Sequence, residues 1–114
     1  MKDDRVYCLH IRDAIQRDFA YTTEGKDAFL GDPKTQDAVV RNLEVIGEAG
    51  KNVSESLKAT HPAIPWKRIA GMRDKMIHAY FGVDLRLVWE VVERDLPALQ
   101  RRLEVVLREL GESR

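Results

Sequence analysis

This sequence is poor in cysteine and has no long apolar run. Its one cysteine, Cys8, has no partner for an intramolecular disulfide. Neither the first ten residues, MKDDRVYCLH, nor any later segment has the apolar stretch of a secretion signal or of a membrane span. We therefore expect a soluble, cytoplasmic protein whose residues 1–114 form one domain, long enough to bury a core without disulfides or a metal.

The sequence also lacks an excess of charge of either sign, because 19 lysines and arginines balance 19 aspartates and glutamates. Without a long-range field, any attraction of nucleic acid must come from a local cluster. One such cluster lies between Trp66 and His78. Its basic members are Lys67, Arg68, Arg73 and Lys75. The cluster indicates either an RNA-binding surface or a solvated helix face, and Trp66 is either a core residue or an aromatic that stacks on a base.

Apolar residues that recur every three or four positions predict helices, and no segment alternates for long enough to be a strand. The first helix begins at Asp3 or Asp4, which can cap it. Its apolar face consists of Cys8, Ile11, Ile15 and Phe19. Cys8 is therefore predicted to be a small buried side chain.

The second helix is predicted to run from about Pro33 to Lys58, since proline suits a first helical turn. Its apolar face consists of Val39, Leu43, Ile46, Gly50, Val53 and Leu57. Its polar face consists of Arg41, Glu44, Glu48 and Asn52. Gly47 and Gly50 indicate either a close approach by a neighbouring element or a tolerated weak position.

The third helix is predicted to begin at Pro65 or Trp66 and to be capped by Gly82. The fourth begins at Asp84, a good N-cap residue, and runs to about Leu110. Pro97 lies within it and cannot donate a backbone hydrogen bond, so we expect a kink or a break there. Short connections between these helices predict an all-α, up-and-down bundle of four to five helices.

The third helix contains the segment GMRDKMIHAYFG, in which Arg73, His78 and Tyr80 stand close together in sequence. On an ideal helix Arg73 and Tyr80 share a face, whereas His78 is rotated from Arg73 by about 140°. One regular helix therefore cannot direct all three at one point. Either the helix distorts near Gly82, or a second copy of the helix completes the site across a symmetric interface.

An arginine and a histidine are sufficient for one kind of chemistry, the cleavage of RNA by its own 2′-OH. That reaction needs a group that exchanges protons near neutral pH and a cation that stabilises charge on the phosphate. His78 and Arg73 can fill these roles without a metal or a cofactor. Asp74, four residues before His78, either supports the imidazole by a hydrogen bond or forms an ordinary helix salt bridge.

The remaining histidines, His10 and His61, have no Cys, Asp or His at metal-ligand spacing, so no metal site is expected.

Taken together, these blocks resemble the HepT toxins of the HEPN superfamily. The decisive element is R-x4-H-x-Y, present here as RDKMIHAY from Arg73 to Tyr80. Around it, in the family's order, stand RNLEVIGEAGKNVS, PWKRIAGMRD and VWEVVERDLPAL. The resemblance covers nearly the whole chain, and the ordered flanking blocks make it far more specific than the R-x4-H pattern alone.

The resemblance implies an HEPN-like homodimer with a cleft between its subunits, and a metal-independent endoribonuclease that cleaves tRNA or mRNA. By position, Arg73 and His78 would be catalytic. Tyr80 would accept AMP from a cognate minimal nucleotidyltransferase, the antitoxin of a type VII toxin–antitoxin system, which would inactivate the toxin. The polar face defined above would support the cleft.

A different class of function is also compatible with the sequence. The neutral net charge and the small basic cluster favour a non-catalytic helical dimer that binds a nucleotidyltransferase partner or nucleotides. Toxicity of the free protein would distinguish the two, because only an active nuclease should arrest growth.

Overall fold

The computed structural model describes residues 3–80 and 84–112, and side chains are described for all of these except residues 73, 75–80 and 112. The chain forms α1 (Asp4–Tyr21), α2 (Lys26–Leu30), α3 (Pro33–Asn52), α4 (Glu55–Thr60), α5 (Trp66–Tyr80), α6 (Leu85–Glu90), a π-helical turn (Val91–Asp95) and α7 (Leu96–Glu112). No strand occurs in the described stretches. The all-α prediction is confirmed.

The long helix α3 lies at the centre of the bundle. It packs against α1 on one side and α5 on the other, and α1 also contacts α7. The predicted apolar faces of the first two helices supply much of the core. Their fully or nearly fully buried members are Cys8, Ile11, Ile15, Val39, Leu43, Ile46, Val53 and Leu57.

Aspartates cap three of the helices, two of which the sequence predicts. Asp3, rather than Asp4, caps α1 by accepting a hydrogen bond from the backbone N–H of Arg5. Asp32 caps α3, in which Pro33 occupies the first turn. Asp84 accepts from two backbone N–H groups at the start of α6. Each carboxylate satisfies donors that a helix start otherwise leaves unpaired.

The prediction of one helix from about Pro33 to Lys58 is wrong, because the chain leaves the helix at Val53. Val53 has extended backbone angles, φ −64° and ψ 142°, and Ser54 then caps α4. Asp4 stabilises the interruption of the helix. Its carboxylate accepts hydrogen bonds from the Ser54 backbone N–H at 2.9 Å and from the Ser54 hydroxyl at 2.6 Å. Such side-chain hydrogen bonds compete with continued helix. The apolar face is preserved, since Val53 and Leu57 both remain buried.

Pro97 produces neither a break nor a separate helix. The chain stays helical from Leu85 to Glu112, and the irregularity is a π-helical turn just before the proline. Leu96 N–H donates to the carbonyl of Val91, five residues earlier. Because Pro97 has no N–H for the carbonyl of Glu93, a locally wider turn accommodates the proline within a continuous helix.

At Gly50, α3 and α5 approach each other closely. A Cβ built at this position would lie 2.6 Å from Cγ2 of Ile69, a distance that real Cβ atoms do not adopt. Ile69 is itself 2% exposed, and its β-branched side chain is stiff. The predicted close approach is therefore confirmed for Gly50, and Gly47, one turn earlier, is also buried.

Gly50→Ala should destabilise the protein by about 1–3 kcal/mol, because the added methyl group overpacks the α3–α5 contact. Gly71→Ala is the matched control, since Gly71 is exposed on α5 and no described atom lies within 4 Å of its Cβ position. This control should stabilise by up to about 1 kcal/mol through helix propensity. Urea denaturation of both variants measures the difference. Equal effects of the two substitutions would contradict the close approach.

In the described part of the chain, Asp18 of α1 is the one acid that is fully excluded from solvent. Its Oδ1 accepts a hydrogen bond from the side-chain amide of Asn42 on α3 at 3.0 Å, while Oδ2 has no partner among the described residues. Burial raises the pKa of Asp18 to about 8, and the bond from Asn42 lowers it only in part. At neutral pH the carboxyl group is therefore mainly protonated in the folded protein.

The free energy of unfolding should fall as the pH rises from about 4 to about 8, by up to about 1.4 kcal/mol per pH unit. The unfolded chain loses this proton near pH 4, whereas the folded chain keeps it until about pH 8. The contribution is therefore complete below the unfolded pKa and is lost as the pH approaches the folded pKa. Urea denaturation at several pH values tests this in the wild type and in Asp18→Asn, which cannot titrate. An equally steep slope in the variant would exclude Asp18 as its source.

Candidate active site

The start of α5 is anchored by Trp66. Its indole N–H donates to the backbone carbonyl of His61 at 3.0 Å, and its side chain is buried in the core. Ile69 N–H closes the first turn by donating to the carbonyl of Pro65. Of the two interpretations of Trp66, the structure supports the core residue, and the indole also determines where the helix begins.

The segment from Arg73 to Tyr80 lies within α5, which is continuous from Trp66 to Tyr80. The helix is held against α3 at Ile69, and Met72, just before the motif, is also buried. A distortion at Gly82 and the capping role of Gly82 fall outside the described residues.

The basic cluster is only partly a solvated face. Lys67 and Arg68 are exposed on α5, whereas the side chain of Lys75 lies outside the described residues. Arg68 Nη2 lies 2.9 Å from Asp95 Oδ2 in the π-helical turn. Asp74 is exposed, and its hydrogen bond to His78 stays a prediction because the imidazole is not among the described side chains.

The polar face of α3 is accessible along its length. Arg41 and Glu48 are exposed, and Glu44 and Asn52 are partly exposed. The side-chain amide of Asn52 donates to the backbone carbonyl of Glu48 at 3.0 Å, so it stabilises the last turn of the helix. Support of a catalytic cleft by these four residues stays a prediction.

Cys8 and the two remaining histidines have ordinary structural surroundings. Burial, with a smaller contribution from Asp4, raises the pKa of the Cys8 thiol to about 12, so the buried thiol is unreactive. The His10 ring meets Tyr7 edge-on at 6.4 Å between ring centroids, and His61 Nε2 lies 3.7 Å from Glu109 Oε1.

In the part of the chain that the structure describes, no three His, Cys, Asp or Glu side chains are grouped so that they could hold a metal ion.

Sequence reasoning missed residues from the π-helical turn and α7 that lie beside α5. Asp95 binds Arg68 across 27 positions of sequence, and Arg102 Nη1 donates to the carbonyl of Ala63 at 3.0 Å. Arg94 lines the same surface. Local periodicity carries no signal for such contacts, because they depend on how α5 and α7 pack.

A compact α-helical bundle with an R-x4-H-x-Y segment on the helix that packs against α3 defines a HEPN-like protein. The chain belongs to the ribonuclease HepT-like family, whose model matches residues 11–106. This match includes the whole of RDKMIHAY and confirms the resemblance that the sequence indicates. Among residues 3–80 and 84–112, no helix has both the length and the apolar character needed to cross a bilayer.

Three relatives illustrate how far the similarity extends. The chain is 50% identical over 99 residues to a probable ribonuclease HepT of Thermococcus cleftensis, an alignment that covers 86% of this chain and 90% of the relative. It is 41% identical over 112 residues to a candidate RNase of Caldanaerobacter subterraneus subsp. tengcongensis, with 95% and 97% covered. It is 38% identical over 110 residues to a candidate RNase of Methanocaldococcus jannaschii, with 96% and 91% covered. No solved structure matches the chain.

Proposed function

We propose that this protein is a metal-independent endoribonuclease toxin that cleaves tRNA or mRNA. The observation that carries the proposal is the family match over residues 11–106, since it spans a complete R-x4-H-x-Y segment on a continuous helix. Relatives that the chain covers almost end to end are named as probable or candidate ribonucleases.

Arg73 and His78 are the catalytic residues in this proposal. The imidazole exchanges a proton with the attacking 2′-OH or the leaving 5′-oxygen, and the guanidinium stabilises charge on the phosphate. RNA carries its own nucleophile, so this pair needs no metal ion. Asp74, one turn before His78, would hold the imidazole in a productive orientation.

The active cleft lies between two copies of the chain. Arg73 and His78 are separated by about 140° around a helix that is continuous through Tyr80, so one helix directs them to different sides. Two helices related by a two-fold axis can bring Arg73 of one copy and His78 of the other to one phosphate. The polar face of α3, with Arg41, Glu44, Glu48 and Asn52, supports this cleft.

Inactivation occurs when a partner nucleotidyltransferase, the antitoxin of a type VII system, transfers AMP to the Tyr80 hydroxyl. Tyr80 is two residues beyond His78 on α5, so the modification puts a bulky anion beside the catalytic pair. The added phosphate competes with RNA for the cations of the cleft.

His78→Ala and Arg73→Ala should each lower cleavage of total RNA by at least about a hundredfold, because each removes one of the two catalytic groups. Native mass should still correspond to a dimer. His10→Ala and Arg17→Ala, exposed substitutions on α1, are matched controls that should keep full activity, and EDTA should not inhibit. Full activity of a folded His78→Ala protein would remove the proposed role of the imidazole, and a strictly monomeric active enzyme would contradict the shared cleft.

The zero net charge of the chain favours the second candidate, a dimer that binds its nucleotidyltransferase partner or nucleotides without cutting RNA. Expression of the free protein separates the two functions. Growth arrest together with fragmentation of cellular RNA supports the nuclease. Normal growth with intact RNA would favour the binding module.

Tyr80→Phe should remain active and should resist the partner enzyme, because phenylalanine has no hydroxyl to accept AMP. Intact mass spectrometry after co-expression with the neighbouring nucleotidyltransferase should show added adenylyl groups on the wild type and none on the variant. Tyr7→Phe and Tyr21→Phe are the matched controls, since they remove the other two tyrosine hydroxyls. Adenylylation of Tyr80→Phe would show that the acceptor lies elsewhere.

A further inference from the structure

A groove runs beside the first half of α5, between that helix, the π-helical turn and the start of α7. We call it the α5–α7 groove. Two adjoining depressions of about 190 Å³ and 230 Å³ form it. Both depressions are lined by Arg68, Met72 and Asp95, so they are parts of one surface.

The floor of the groove is apolar and well packed. Ile69 and Met72 come from α5, and Leu96 and Leu99 from α7; all four are at most 7% exposed. Above this floor lies the Arg68 side chain, which is 68% exposed although it is paired with Asp95. An apolar surface beside a planar guanidinium can accommodate the face of a nucleobase.

Cations stand at both ends of the groove. Arg94 lines the smaller depression and Arg102 the larger one. Arg102 gives one hydrogen bond to the carbonyl of Ala63, and since a guanidinium has five N–H donors, this bond orients the group while leaving donors for a phosphate. The acidic residues of the groove are Asp95, which is paired with Arg68, and Glu90 in the smaller depression. The larger depression therefore has a net positive rim, complementary to a phosphodiester.

The π-helical turn brings Arg94 and Asp95 to this surface. Pro97 accounts for the π-helical turn, which includes both Arg94 and Asp95. Such turns recur at functional sites, because they move side chains out of the regular helical order. Here the turn supplies the partner of Arg68 and one of the cations.

The groove lies on the same helix as the R-x4-H-x-Y segment and extends along α5 as far as the residue before it. Met72 lies in both depressions and is the residue immediately before Arg73. An RNA strand whose scissile phosphate lies at Arg73 would have a flanking nucleotide over the groove.

We infer that the α5–α7 groove is an RNA subsite that binds a nucleotide flanking the cleaved bond, with its base on the apolar floor beside Arg68 and its phosphates on Arg102 and Arg94. This inference rests on the proposed function and extends it, because it names residues that hold the substrate outside the catalytic pair.

Binding can be measured separately from cleavage with a fluorescent RNA oligonucleotide that is fully 2′-O-methylated and therefore lacks the attacking hydroxyl. The fluorescence anisotropy of this RNA is measured as the protein is added. Repeating the titration over a salt series gives the Kd and its salt dependence. Arg102→Ala and Arg94→Ala should each raise Kd by about tenfold and reduce the slope of log Kd against log salt by about one. Arg101→Ala is the matched control: it removes the same charge from the adjacent, exposed position and does not line the groove.

Arg102→Ala and Arg94→Ala together separate loss of RNA contacts from loss of local structure. Arg102→Ala also removes the bond to Ala63, so Arg102→Lys, which can keep a donor and the charge, should recover part of the affinity. Arg94→Ala reports on the groove independently of that bond. Equal Kd values for Arg101→Ala and for both groove variants would overturn the subsite. A fall in native mass specific to the groove variants would assign the groove to subunit contacts instead and would also overturn it.

Cleavage of total RNA by the wild-type protein distinguishes this inference from the proposed function. Cleavage that does not depend on Arg102 or Arg94, together with unchanged Kd, would leave the nuclease in place and remove the subsite. Binding that depends on both arginines, without any cleavage of RNA, would support RNA binding in the groove but would remove the nuclease function and, with it, the assignment to a nucleotide beside a cleaved bond.

Discussion

The contact between Gly50 and Ile69 is the constraint on which the arrangement of this protein depends. A methyl group at Gly50 would come within 2.6 Å of Ile69, so α3 and α5 can lie this close only if position 50 has no side chain. The helix that carries Arg73, His78 and Tyr80 is thereby seated directly against the central helix of the bundle. Trp66 adds a second restraint, because its indole binds the carbonyl of His61 and anchors the first turn of α5.

The two ends of α5 contribute in different ways. Its first half is described in full: it is packed on α3, tied to the π-helical turn through Arg68 and Asp95, and flanked by the groove. Its second half carries the family motif on a backbone that is helical through Tyr80. Among the described residues, Asp18 and Asn42 are the buried polar or charged residues, and their hydrogen bond links α1 to α3.

Much of the fold could be predicted from the sequence because its signals are local. Apolar spacing predicted the faces buried by α1 and α3, and aspartates predicted the starts of α1 and α6. The site could be predicted only in part: the order of motif blocks led to the family, which the match over residues 11–106 confirms, while the roles of Arg73, His78 and Tyr80 stay predictions. Arg94 and Arg102 escaped prediction because an arginine on an amphipathic helix has no pattern that separates a groove from a solvated face.

The sequence by itself determined the class of fold, the starts of α1, α3 and α6, and the family, since hydrophobic period, capping and motif order are properties of neighbouring residues. Only the tertiary structure decided that α3 ends at Val53, because the carboxylate responsible belongs to Asp4, 50 positions away from Ser54. The tertiary structure likewise decided that a π-helical turn accommodates Pro97 within the helix and that Asp95 of that turn pairs with Arg68. These outcomes depend on which faces meet when the helices pack, and a linear pattern does not contain that information.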